Sequence, residues 1–164
     1  MAKTEQLELD DVDYRILKEL SLDGRVSDVS LGDQIKLSAT AVARRRKSLE
    51  ERQAVLSYSA NLNLPLLGFN VVVFVAVELS SQAEHALIEF EREVVKCPSV
   101  SYCGFVSGDT DFLLMLHVES FEDYDRVYRR ELSTLPHVAK IRSSFVIREV
   151  ARRGTPPVVF EDKA

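Results

Sequence analysis

The chain has 164 residues, 46% of them apolar, and 21 Lys and Arg against 26 Asp and Glu, a formal net charge of −5. That length and apolar content suit one large domain or two small ones with packed cores. No apolar run approaches the ~20 residues of a membrane span, and Met1–Gln6 lacks the apolar stretch of a secretory signal. Cys97 and Cys103 are too few for a disulfide or zinc framework, and His85, His117 and His137 are scattered. These features lead us to expect a cytoplasmic protein with reduced thiols, no membrane partner, no metal site and no cofactor.

Helical periodicity governs residues 10 to 56. Val12, Ile16, Leu17 and Leu20 fall on one face behind Asp10 or Asp11 as a cap. Asp23-Gly24 ends that helix, with Gly24 available for a left-handed turn. Ser27 caps a second, short helix with Val29, Leu31 and Ile35 inward, and Ser38 caps a third with Val42 and Leu49 inward. Three helices in ~40 residues, the last two separated by a very short turn, fit a helix-turn-helix. Val55 to Ala60 is read as a wing strand, and Asn61 to Gly68, with Pro65, as a hinge. The predicted domains are thus residues 1–60, a linker over 61–69, and a second domain over 70–164.

That second domain reads as strand, helix, strand, strand, helix, strand. Phe69–Leu79 is β-branched, and Ala83, Leu87, Phe90 and Val94 form a helical stripe that stops before Pro98. Val100–Val106 and Phe112–Val118 flank Ser107-Gly108-Asp109-Thr110-Asp111, a turn-forming run, and so read as a hairpin. Ser120 caps a helix with Tyr124, Val127, Tyr128 and Leu132 inward, and Val138–Val150 is the last strand. The fold class is therefore α+β, a winged helix-turn-helix followed by a ferredoxin-like βαββαβ domain. Val71–Val77 and Phe112–Leu116 hardly alternate, so both sheet faces call for burial. Two helices cover one face, and an identical sheet from a second chain is the best cover for the other.

Charge is unevenly distributed. Residues 36–52 hold six cations and two anions, whereas residues 1–35 hold four cations and nine anions. A basic, capped helix after a short turn points to double-stranded DNA as partner. Ser38, Thr40 and Arg44 are placed to meet base edges, Arg44 by bidentate bonding to guanine. Arg45 and Lys47 are assigned to phosphates, which position the helix without reading sequence. Gly108 and Asp111 admit two readings: ordinary turn chemistry, or a hairpin tip that grips an amino acid by its charged ends. No Ser-His-Asp or Cys-His order stands out, and Gly104–Gly108 neither opens a helix nor carries a P-loop lysine.

Taken in order, these segments resemble the Lrp/AsnC (feast/famine) family of transcriptional regulators. The resemblance runs from Leu9 to about Pro157. It is carried by Leu9–Asp13 with Ile16-Leu17, Asp23–Ser27, Leu37–Arg45 with Leu49–Glu51, Val100–Cys103, Val106–Leu114 and Leu135–Val138. It implies a regulatory domain that dimerises through its sheet, assembly of dimers into octamers or similar rings, and an amino-acid effector bound near the hairpin. By that likeness Thr110 and Asp111 contact the ligand's ammonium or lie beside it, Gly108 leaves room for its backbone, and Tyr102 and His137 belong to the pocket wall.

Three residues depart from the family pattern. Lys36 and Gln53 stand where glycine is common, and Arg46 where an aliphatic residue faces the core. A left-handed non-glycine residue costs ~1 kcal/mol, and Arg46 has either to snorkel or to accompany a rotated helix. Two other activities remain open on the same scaffold: a sirohaem-decarboxylase-like enzyme, and a metabolite sensor acting through protein partners.

Overall fold

The structure, a computed structural model, describes residues 7–161. The chain divides into two units, one of residues 1–61 with 151–164 and one of residues 62–150.

The first unit is built on three helices, α1 (Asp11–Leu22), α2 (Asp28–Ile35) and α3 (Ala39–Glu51). Each begins at the predicted cap. Asp10 accepts from the Asp13 amide at 2.8 Å and Asp13 reaches back to the Asp10 amide at 3.3 Å, a reciprocal capping box. Ser27 and Ser38 accept from the Ser30 and Ala41 amides at 3.1 and 3.2 Å. Ile16, Leu20, Leu31, Ile35, Val42 and Leu49 form the buried core, with Val12 and Leu17 at its margin. Each such side chain contributes ~1.5–3 kcal/mol on leaving water. Val29 does not join it; at 63% exposure it points outward from α2.

The α2–α3 turn is tight. Lys36 adopts φ 61°, ψ 47°, the left-handed geometry that the sequence penalises at this position, and Gln53 does the same at φ 58°. Gly32 explains how the turn closes: a Cβ there would lie 2.6 Å from the Leu37 carbonyl oxygen. Gly24, by contrast, has no positive φ among the described residues. Its value is space, since a Cβ there would sit 3.1 Å from the Tyr58 ring. The segment 55–60 forms no strand. An extended segment needs a ladder partner, and this one is held instead by Tyr58, whose hydroxyl donates to Glu50 at 2.8 Å. Burial, then the Glu50 bond, push that phenol up to about 12.

The second unit carries β1 (Val71–Leu79), α4 (Glu84–Val94), β2 (Val100–Phe105), β3 (Phe112–Val118), α5 (Phe121–Arg130) and β4 (Val138–Phe145). The sheet is antiparallel in the order β2-β3-β1-β4, as the βαββαβ reading requires. Val73, Val75, Val77 and Leu79 of β1 and Phe112, Leu114, Leu116 and Val118 of β3 are buried with Phe90 and Val94 of α4 and Tyr124 and Val127 of α5. Tyr128, expected inward, is 38% exposed. The alternate residues form the other sheet face. There Val72, Phe74 and Ala76 pair across β1–β3 with His117, Met115 and Leu113.

Two boundaries differ from the expectation. β4 ends at Phe145 instead of Val150, since only the Val146 amide continues the ladder, to the Val72 carbonyl. The tail beyond Val150 groups with the first unit; its 3₁₀ turn Pro157–Phe160 packs on α1. Among the described residues, no helix is long and apolar enough to cross a membrane.

Candidate nucleic-acid interface and effector hairpin

The basic run of α3 separates into two pairs with different work. Helical spacing turns Thr40, Ala43, Arg44 and Lys47 to one exposed face. Lys47 pairs with the helix-local Glu51 at 3.7 Å, and both side chains are well solvated. Ser38 is exposed at the amino-terminal end of this face, its hydroxyl oxygen engaged as the cap. A capped amino-terminus with short polar side chains and free-reaching cations matches what a major groove accepts.

Arg45 faces the other way. Its Nη1 lies 2.9 Å from Asp10 Oδ2 and 2.8 Å from Asp13 Oδ1, so its guanidinium pins α3 to the capping box of α1. These bonds raise the Arg45 pKa, while the Asp13 amide, then Arg45, lower that of Asp10 against the opposing effect of burial. Arg45, expected at phosphates, therefore ties α3 to α1 in this structure. The charge run alone could not reveal this, because it depends on the acids at 10 and 13, spaced one helical turn apart on another helix. Arg46 is an anchor too: Nη2 donates to the Val26 carbonyl at 2.7 Å, and Nε lies 3.2 Å from Asp28 Oδ1. Its side chain is only 19% exposed and its Nε is buried, so the head is held inward at the α1–α2 turn and does not snorkel to solvent.

In the second unit the hairpin tip and the lead-in to β4 converge on the end of β1. Thr110 Oγ1 donates to the Val77 carbonyl at 2.7 Å, and the Asp111 amide bonds the same carbonyl at 2.9 Å. Asp111 is buried; its Oδ2 accepts from the Leu79 amide at 2.7 Å and its Oδ1 from Gln82 Nε2 at 2.9 Å. The hairpin carboxylate thus braces the β1–α4 connection from inside. Both of its oxygens are engaged within the fold, which places Asp111 beside the hairpin tip with its carboxylate turned to Leu79 and Gln82. Gly108, at φ 120°, occupies a conformation that few side chains tolerate, and a Cβ there would meet nothing within 4 Å. The constraint is the backbone, not crowding.

His137 is the third non-glycine residue at positive φ, 60°. Its carbonyl accepts from the Ser80 amide at 2.7 Å, and its Nε2 lies 2.7 Å from Glu89 Oε2. The His85 ring packs edge-on at 5.9 Å. Tyr102 sits apart, 54% exposed and paired in register with Met115. Its phenol folds over Gly104, where a Cβ would meet the hydroxyl at 2.5 Å. So Thr110, Asp111 and His137 come together at one end of the sheet, with Gly108 at the hairpin tip, whereas Tyr102 lies along β2. Gln82, Glu89 and His85 join this end without having been legible in sequence, because the spacing of these residues has no local signature. Among the described residues no group of three His, Cys, Asp or Glu has the geometry to hold a metal ion.

Comparison with known proteins agrees with this architecture. The family described as Lrp/AsnC ligand binding domain matches residues 72–156, and the AsnC-type helix-turn-helix domain matches residues 9–50. The Bkd operon transcriptional regulator of Pseudomonas aeruginosa is 36% identical over 151 residues, covering 92% of this chain and 99% of its own. The leucine-responsive regulatory protein of Escherichia coli is 35% identical over 87% of each chain. Among solved structures, a transcriptional regulator from Neisseria meningitidis in complex with L-methionine superposes with a TM-score of 0.87 at 29% identity, covering 92% of this chain and 97% of its own. A feast or famine regulatory protein from M. tuberculosis, also complexed with L-methionine, gives 0.82 at 26% identity, over 91% of this chain and 99% of its own.

Proposed function

The chain belongs to the Lrp/AsnC family, and from that premise we propose that it is a sequence-specific DNA-binding transcriptional regulator whose binding or assembly responds to an amino acid. The observation that carries this is the division of labour on α3. Arg45 and Arg46 fix the helix to its own domain, and Thr40, Arg44 and Lys47 stand outward from a capped amino-terminus. Ser38, Thr40 and Arg44 are the base-edge candidates and Lys47 the phosphate contact.

The working unit is a homodimer. Its support is the sheet face opposite the core, where Val72, Phe74, Ala76, Leu113, Met115 and Tyr102 form an apolar centre bordered by His117 and by Lys140, Arg142 and Ser144 of β4. Two-fold symmetry then calls for a roughly palindromic site with half-sites one helical turn or a multiple apart. An effector held at the hairpin end by Gly108 and Thr110, with Asp111 bracing that end, His137 near it and Tyr102 farther off along β2, and dimers stacking toward octamers, would favour one assembly. Linkage makes the DNA and effector affinities change each other by the same factor. The cytoplasm is the compartment for such a regulator. The outward basic stripe, which tetrapyrrole chemistry on this scaffold does not require, favours this reading over a sirohaem-decarboxylase-like enzyme. It equally favours DNA over a purely protein-partnered sensor.

Fluorescence anisotropy of the full chain on DNA from upstream of its own gene, against random DNA and at two salt concentrations, tests this. Preferential binding with a steep salt slope, shifted by a pool of amino acids, is expected. Absence of binding at low salt, with and without the pool, overturns it.

A further inference from the structure

The outward face of α3 contains one residue with no polar group to offer. Ala43 is exposed between Thr40, three residues before it, and Lys47, four after, with Arg44 beside it. All four lie within about a third of the helix circumference. Thr40, Arg44 and Lys47 have hydrogen-bonding groups; Ala43 has only a methyl group, exposed and outside the buried core of its unit. A longer side chain there would hold the first two turns away from a groove floor, whereas alanine permits close approach. The apolar feature that B-DNA displays in its major groove is the thymine C5 methyl group.

We propose that Ala43 is a specificity-determining residue that packs against a thymine methyl in each half-site, beside the position read by Arg44. This rests on the DNA-binding reading above and adds to it the identity of one base. Arg45 and Arg46 make the contact reproducible, because both clamp the helix carrying Ala43 against α1 and the α1–α2 turn.

The test uses a duplex selected by the full-length protein from a random library, with each thymine replaced singly by uracil, which removes only the methyl. One symmetric pair of replacements should weaken binding about three- to fivefold per half-site, the size of one lost methyl-sized apolar contact. In Ala43→Gly that sensitivity should vanish, and unmodified DNA should bind as weakly to the variant as uracil DNA binds to the wild type. Ala43→Gln, which keeps good helix propensity, should also lose the uracil response, so a folding defect in the glycine variant leaves the inference testable. Uracil sensitivity that survives at Ala43→Gly and Ala43→Gln but disappears in Thr40→Ser assigns the contact to the threonine methyl and overturns the proposal. Strong selection of a sequence with no uracil-sensitive thymine overturns it while leaving the regulator reading intact. Failure to select any sequence overturns both.

Discussion

Replacing Asp111 by alanine separates a structural carboxylate from a ligand-binding one. Asp111 is 5% exposed and holds two donors, the Leu79 amide at 2.7 Å and the Gln82 side chain at 2.9 Å. The Leu79 amide sits where the β1–β4 register shifts, and the carboxylate is the partner it finds there. Hydrogen bonds to a charged group are worth ~1.5–3 kcal/mol each, and an abandoned buried donor costs ~1–3 kcal/mol. Gln82 lies at the surface and recovers a water, so the buried bond dominates and the loss should be about 2–3 kcal/mol. Hydrogen exchange at the Leu79 amide in the full chain reads this directly. Protection there should fall about 30- to 150-fold, at ~1.4 kcal/mol per tenfold, while α1–α3 stay unchanged. Asp111→Asn keeps an acceptor for the amide and should cost under about 1 kcal/mol. If Asp111→Ala leaves Leu79 protection intact yet abolishes the response to amino acids, the bracing argument is wrong and the carboxylate serves the ligand.

Four further outcomes follow from the same structure. Arg44→Ala should cost ~1–3 kcal/mol on the preferred DNA and relax its sequence preference, whereas Lys47→Ala should weaken all sequences and reduce the salt slope by about one; equal effects on specific and random DNA in anisotropy titrations would refute these roles. The Asp10 carboxyl is held below its ordinary 3.8, first by the Asp13 amide. Its folded value being the lower one, its stabilisation is complete above the ordinary value and is lost as pH falls through the folded value. Amide protection at Asp13 should therefore drop below about pH 4, and Asp10→Asn, an equally good cap that does not titrate, should flatten that loss. Gly32→Ala puts a methyl 2.6 Å from the Leu37 carbonyl oxygen; it should destabilise the first unit by ~1–3 kcal/mol in thermal melts, and an unchanged transition would show that the turn relaxes freely. Phe74→Lys places a charge amid the uncovered sheet face, where Phe74 is 39% exposed; sedimentation should shift toward monomer, and an unaltered assembly would place the dimer contact elsewhere.

Much of this protein is decided within short windows of its sequence. The caps at Asp10, Ser27, Ser38 and Ser120 are all used as read, because a cap needs only an oxygen and an amide three residues on. The hairpin at 107–111 is local in the same sense, whereas which face of the nearly all-apolar β1 is buried, that of Val73, Val75 and Val77, was settled only by the packed helices. The left-handed backbone at Lys36 is local too, where the short turn between capped helices leaves few other geometries.

Tertiary structure decided which charges are available. Arg44, Arg45, Arg46 and Lys47 are chemically alike in sequence, but Asp10, Asp13, Asp28 and the Val26 carbonyl, 18 to 35 residues away, take two of them inward. Asp111 likewise looks like a surface turn residue until the Leu79 amide, 32 positions earlier, is folded against it. A wing strand at 55–60 and a longer β4 satisfy strand propensity, yet among the described residues 55–60 joins no ladder and beyond Phe145 the Val146 amide alone continues one. Local sequence fixes dihedral preference and periodicity at short range; ion pairs and ladders need partners that only the folded chain brings within 3 Å or so.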